Sequence, residues 1–327
     1  MIEGQKILTG PDDFVASLEP ATIRSLGPEL SFSDVLARTL FDSAENTNPA
    51  SRRPRFRYHE SFSDLARALR HDPSALGIFP VENSTTSTVQ GVTDELLTGD
   101  FTVVAEATLL IHLILAGPSG APIDPDDVKA VLSHPKPFGQ ARNVMTERDY
   151  KPIPVESTAK AASIVQKSKD RTIAAICGAR AVRTYELQTI LDGIEDREDN
   201  STRFMLVKSM EGNGVLDIEI ARSGILQNVK RAKLAAIVTP KAPGARGFLN
   251  VLNYVDLKGL GFYPPLGHTN QSRIEGRSVD YFMEFEGHPE ALSNALRDER
   301  DWGSFMDFKT LGMYPVGSVY SEGLAEV

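Results

Sequence analysis

Residues 101–117 form the most apolar run of the chain, interrupted by titratable groups only at Glu106 and His112. A membrane-spanning helix needs about 20 mostly apolar residues, so this run is too short and too polar to cross a bilayer comfortably. It reads instead as buried strand that changes direction or crosses between lobes. The rest of the chain must supply its cover.

Strand and helix signals alternate around that run. Thr22-Ile23-Arg24-Ser25-Leu26 reads as a short strand stopped by Gly27-Pro28, and Ser31 or Ser33 can cap a helix through Val35, Leu36, Leu40 and Phe41. Residues 56–59 predict a second strand, followed by a helix capped by Ser61 with Leu65, Ala68 and Leu69 on one face. Residues 76–81 predict a third strand, ending in the polar Glu82-Asn83-Ser84-Thr85-Thr86-Ser87-Thr88. After a helical segment near 93–97 and the apolar run, residues 128–132 read as strand and Pro137 as a helix start. Thr158 is expected to cap an alanine-rich helix, 172–177 to form a strand, 179–187 a helix and 203–207 a closing strand. The alternation predicts an α/β fold with a mainly parallel sheet.

Glu211-Gly212-Asn213-Gly214 breaks the pattern and opens a linker. The chain thus divides into residues 1–208, a linker over 209–231 and a second unit over 232–327. Strands at 233–239, 260–266, 279–286 and 308–315, with helices at 245–258 and 289–297, give that unit the βαββαβ order of a ferredoxin-like α+β layer.

At 327 residues, 41% hydrophobic and 24% charged, the chain has material for two domains with separate cores. The lone Cys177 excludes a disulfide framework and any cysteine-built zinc cluster, which suits a reducing compartment. The first residues carry no secretory or transit pattern, so the expected location is the cytoplasm. A net charge of −9 and a pI near 5.3 argue against nucleic-acid and anionic-membrane partners. Arg52-Arg53-Pro54-Arg55-Phe56-Arg57 is the one basic cluster, and a solvated loop ahead of a strand accounts for it. An anionic small molecule needs only local positive charge.

No phosphate-binding loop, dinucleotide glycine fingerprint, Cys-x-x-Cys or His-x-x-x-His pair occurs, which leaves a cofactor-free enzyme or a binder. Four polar clusters sit at strand ends: Gly27-Pro28-Glu29-Leu30-Ser31-Phe32-Ser33, Pro80-Val81-Glu82-Asn83-Ser84, Ser133-His134-Pro135-Lys136 and Asn200-Ser201-Thr202-Arg203-Phe204. Each has a plain structural use: a turn with a helix cap, a loop closing its own backbone, a turn histidine, a surface strand start with an ion pair. Ligands of open α/β sheets bind at the carboxyl ends of strands, so four such clusters in one domain point to a shared cleft. In that cleft Thr202 and Arg203, a hydroxyl beside a guanidinium, could hold a carboxylate while donating to a departing oxygen.

Together and in this order, the four clusters resemble the catalytic domain of prephenate dehydratases over about residues 22–207. Glu82-Asn83-Ser84 after Gly77-Ile78-Phe79-Pro80-Val81 is the sharpest match, and Thr202-Arg203-Phe204 the second. The βαββαβ unit looks like the ACT regulatory domain that often accompanies it. The resemblance implies two lobes of the periplasmic-binding-protein kind, a substrate cleft between them, no cofactor, no metal, and a homodimer or homotetramer. It implies a lyase that removes CO2 and the ring hydroxyl of prephenate to give phenylpyruvate in phenylalanine biosynthesis. Thr202 would donate to the departing oxygen, and Arg203 would hold or orient a carboxylate directly or through its loop. Asn83, Ser84 and Ser31 would be neutral donors and His134 a donor to the pyruvyl side chain or structure, while Glu82, Phe204 and Lys136 complete the expected substrate site.

The chain departs from the family pattern in places. Leu30-Ser31-Phe32 stands where Gly-Thr-Phe is usual, Ser87 where a glycine is expected, and Lys136 where His-Pro is followed by Gln. These changes keep open a relative that only decarboxylates prephenate and, from another class, a small-acid binder or sensor. In the second unit Gly244-Ala245-Arg246 and Gln271-Ser272-Arg273-Ile274 only outline the Gly-Ala-Leu and Glu-Ser-Arg-Pro motifs of phenylalanine-binding ACT domains. Phenylalanine is therefore expected to bind weakly or not at all, and the unit to serve subunit association.

Overall fold

The computed structural model describes residues 11–41, 53–85, 87–89, 91–210, 226, 228–242, 244–263, 279–297 and 302–322. The chain opens with α1 (Pro11–Ala16), β1 (Thr22–Leu26), α2 (Phe32–Phe41), β2 (Arg55–His59), α3 (Phe62–Arg70), β3 (Ala75–Asn83), β4 (Ser87–Thr88), α4 (Val92–Leu97) and β5 (Phe101–Leu110). It continues through β6 (Ile114–Gly117), β7 (Ala130–Ser133), α5 (Pro135–Gln140), α6 (Arg142–Glu147), β8 (Lys151–Pro154), α7 (Thr158–Ser168), β9 (Ile173–Cys177), α8 (Ala179–Thr184), β10 (Gln188–Asp192) and β11 (Ser201–Ser209). The last stretch holds β12 (Ala232–Pro240), α9 (Gly244–Leu257), β13 (Gly261–Tyr263), β14 (Tyr281–Gly287), α10 (Pro289–Arg297), β15 (Met306–Pro315) and β16 (Val319–Ser321).

The apolar run does cross between lobes. Its first part is β5, in a sheet ordered β16-β5-β11-β3-β1-β2 with β4 beside β3; its second part is β6, in a sheet ordered β10-β6-β9-β7-β8. The first sheet is mixed rather than mainly parallel. In it β11 runs against both β3 and β5, because it brings the chain back from the second lobe beside the strand that carried it out. The two crossovers, residues 111–113 and 193–200, are tied where they pass: Ile194 N donates to Leu113 O at 3.0 Å and Ile111 N to Asn200 O at 2.8 Å.

The second unit has the expected βαββαβ order in a sheet β13-β14-β12-β15. It is fused to the first sheet by packing. Ala235, Ile237, Phe282, Leu311 and Tyr314 share one buried apolar cluster with Phe79, Phe101, Val103, Met205 and Val207. At Gly312 an added Cβ would lie 2.0 Å from Val103 O, so only glycine lets the strand approach so closely. One strand inside the expected second unit belongs elsewhere, since β16 returns to pair with β5 in the first sheet.

Two expectations shift locally. Ser157, not Thr158, caps α7: its backbone is extended (φ −160°) and its hydroxyl accepts from Lys160 N. β8 escaped the sequence reading because all four of its residues are exposed and two are prolines, so no apolar alternation marks it. Most of the linker, the Gln271-Ser272-Arg273-Ile274 motif, strand residues 264–266 and the side chain of Ser87 lie outside the described residues.

Candidate active site

A cleft of about 350 Å³ opens between the two lobes. The first lobe lines it with Ser31 from the turn before α2, Phe32 at the start of α2, Asn83 from β3, and Thr202 and Phe204 from β11; the second lobe brings His134, Lys136 and Gln140 at α5 and Ser157 and Thr158 at α7. These positions follow from register. Across the antiparallel β3–β11 pair, Thr202 lies opposite Asn83 and Arg203 opposite Glu82. Side chains alternate between the faces of a sheet, so Asn83, Thr202 and Phe204 face the cleft while Glu82 and Arg203 face the second unit.

The hydrogen bonds around Asn83 fix the direction of the Thr202 hydroxyl. Asn83 Oδ1 accepts from Thr85 N at 3.0 Å and from Thr85 Oγ1 at 2.6 Å. A backbone N–H can only donate, so that end of the amide is the oxygen. Asn83 Nδ2 therefore points the other way and donates to Thr202 Oγ1 at 3.1 Å and to Ser201 O at 2.9 Å. Thr202 Oγ1 is an acceptor toward the protein, which leaves its proton for the cleft.

On the opposite wall His134 caps α5, its Nδ1 accepting from Lys136 N at 3.3 Å. Burial, then the charge of Lys136, pushes its pKa down. The neutral ring thus carries its proton on Nε2 as a donor. Lys136 is the one lysine or arginine lining the cleft among the described residues. The Ser31 hydroxyl accepts from Asp34 N and donates to Leu26 O, both at 3.3 Å, so it serves the helix cap as well as the lining.

Three expected site residues are placed elsewhere. Arg203 is not in the cleft: it donates to Glu284 through both terminal nitrogens (2.9 and 2.7 Å), to Glu106 at 3.0 Å and to Glu82 at 3.3 Å. Lys233 joins the cluster at 2.8 Å from Glu106, and Tyr314 donates to Glu284 at 2.7 Å. Burial works against the Glu284 charge, but Arg203 outweighs it and holds that carboxyl below its usual range. Arg203 therefore does not line the cleft, which leaves the indirect role expected of it; strand alternation turned it to the other face. Glu82 goes with it. Ser84 is a clamp between strand ends, donating to Asp199 O at 3.1 Å and accepting from Ser201 N at 2.9 Å.

Gln140, Ser157 and Thr158 line the cleft but were not read as site residues. Ser157 and Thr158 form a fifth strand-end cluster, hidden because β8 ahead of them was not recognised. Gln140 follows Ser133-His134-Pro135-Lys136 by one helical turn, and that spacing was the available signal.

The profile of the prephenate dehydratase family matches residues 23–211, the segment that builds both lobes. The chain belongs to this family. Prephenate dehydratase of Methanocaldococcus jannaschii is 29% identical over 255 residues, covering 76% of this chain and 84% of that protein. Prephenate dehydratase of Lactococcus lactis is 31% identical over 229 residues, covering 68% and 73%. In three dimensions the prephenate dehydratase of Staphylococcus aureus superposes with a TM-score of 0.69 at 20% identity over 90% of this chain and 99% of that one. Among the described residues no group of His, Cys, Asp and Glu is arranged to hold a metal ion, and no helix is long and apolar enough to cross a membrane.

Proposed function

We propose that this prephenate dehydratase family member converts prephenate to phenylpyruvate, CO2 and water, with Thr202 as the donor to the departing hydroxyl. The observation that carries this reading is the Asn83–Thr202 pair, which leaves a hydroxyl proton pointed into a cleft built by both lobes. Cleavage of the ring C–CO2 bond supplies an electron pair to the ring as the ring C–O bond breaks. The oxygen leaves with its bonding pair and one proton from solution completes water. The threonine hydroxyl need not ionise. Its hydrogen bond stabilises charge as it develops on the oxygen, and such a donor is worth about 10²–10³-fold. Aromatisation provides the remaining driving force.

Lys136 and the Nε2–H of His134 hold the carboxylates of the substrate in this reading, since Arg203 is engaged elsewhere. Phe204, 1% exposed, lies under the ring as an apolar floor. The lone cysteine suits a reducing compartment and so supports a cytoplasmic enzyme, working as a homodimer or homotetramer with the ACT-like unit in subunit association. Incubation with prephenate and no added cofactor tests the function: phenylpyruvate with one equivalent of CO2 is expected. A decarboxylated, non-aromatic acid that keeps its hydroxyl would contradict dehydration, and an unchanged substrate would contradict lyase activity.

A further inference from the structure

The donor network behind Thr202 does not end in the first lobe. Gln140, at the end of α5 and 8% exposed, directs its Nε2 to Thr85 Oγ1 and to Asn200 Oδ1, both at 3.3 Å. The Thr85 hydroxyl already donates to Asn83 Oδ1, so toward Gln140 it accepts. Asn200, 1% exposed, offers its Oδ1 to Gln140 and, at 3.4 Å, to Asn83 Nδ2, while its own Nδ2 has no partner. Turning that amide over would set its NH2 against two other amide NH2 groups. Gln140 thus holds the Asn200 oxygen toward the network although a buried donor is left unpaired. Nearby backbone ties run the same way: Asp196 N donates to Gln140 O at 2.6 Å, and the Asp196 carboxylate accepts from Arg142 N and Asn143 N of α6.

We propose that Gln140 is a positioning residue for the dehydration, transmitting the placement of the second lobe to the Asn83 amide and so to the direction of the Thr202 proton. This rests on the functional reading above. Gln140 borders the cleft, but its nitrogen is engaged by Asn200 and Thr85, so its action runs through Thr202 rather than through the substrate.

The test is a kinetic cycle with prephenate on wild type, Gln140→Met, Thr202→Val and the double variant, with thermal unfolding run alongside. Gln140→Met should lower kcat about 10–100-fold, the loss expected of a misplaced donor, with KM within about threefold of wild type. On the Thr202→Val background the same change should cost less than about twofold, because two residues acting through one hydroxyl are not additive. Unchanged kcat, a rise in KM alone, or fully additive losses would each overturn the proposal. If Gln140→Met fails to fold, Gln140→Glu keeps the size of the side chain while replacing the donor with an acceptor, and is judged by the same kcat and KM outcomes. A wild-type protein inert toward prephenate would overturn the functional reading itself, a result seen before any variant is compared.

Discussion

At Arg203 the planar guanidinium is matched by Glu284 on two nitrogens and by Glu106 on one, in a pocket where its side chain is only 14% exposed. A lysine would keep the charge but reach these carboxylates from a single point. Arg203→Lys should therefore cost about 1–3 kcal/mol of stability through lost charge-assisted bonds, read as a lower denaturant midpoint, while KM for prephenate stays near normal. A raised KM with unchanged stability would return Arg203 to the cleft. Thr202 and Arg203 stood out through the four strand-end clusters taken together, not through their residue types alone. What their adjacency could not convey was that they serve opposite faces, because that depends on which face of β11 the second unit covers. Ser84 was misread for a related reason: a hydroxyl at a strand end looks like a ligand donor until its bonds to Asp199 and Ser201 are seen.

The elements that join the lobes were legible only in part. The apolar run announced a strand that changes direction or crosses, yet nothing in its sequence showed that His112 lies between Asp192 at the end of β10 (2.8 Å) and Glu195 on the returning crossover (3.0 Å). Burial opposes the charge on His112, but its hydrogen bond to Asp192 and the pull of Glu195 raise its pKa above the ordinary 6.5. A histidine raised in the folded state contributes stability that is fully present below its unfolded pKa and is lost as pH rises through the folded one. The doubly bonded ring needs both protons, so the tie weakens as one leaves. His112→Gln should accordingly narrow its stability deficit as pH rises from about 6 to about 9, measured as urea midpoints of both proteins across that range. A deficit independent of pH would remove the charged His112 from the tie between the crossovers. β8 and its following Ser157 and Thr158 stayed hidden because an exposed, proline-containing strand carries no period to read.

For the molecule as a whole, the βαββαβ elements form a four-stranded sheet of their own, but that layer is not independent of the first sheet. One apolar cluster runs through both, the Arg203–Glu284 and Lys233–Glu106 pairs cross between them, and β16 returns to the first sheet. A chain ending after Ser209 would uncover Val103, Met205 and neighbouring apolar groups, each worth about 1.5–3 kcal/mol when buried. Against a total stability of about 5–15 kcal/mol, that loss should leave an aggregating, inactive fragment, as light scattering and activity would show. A monomeric, fully active fragment would mean that the second unit is dispensable. The central claim is narrower: one hydroxyl, aimed by Asn83, carries the chemistry from the cleft face of β11. Steady-state kinetics of Thr202→Val with prephenate tests it most directly, since the change keeps the shape and removes the hydroxyl, both its donor and the acceptor that Asn83 Nδ2 uses. The expected result is a fall in kcat of about 10²–10³-fold with KM and unfolding temperature close to wild type. A variant that forms phenylpyruvate at the wild-type rate would contradict the account.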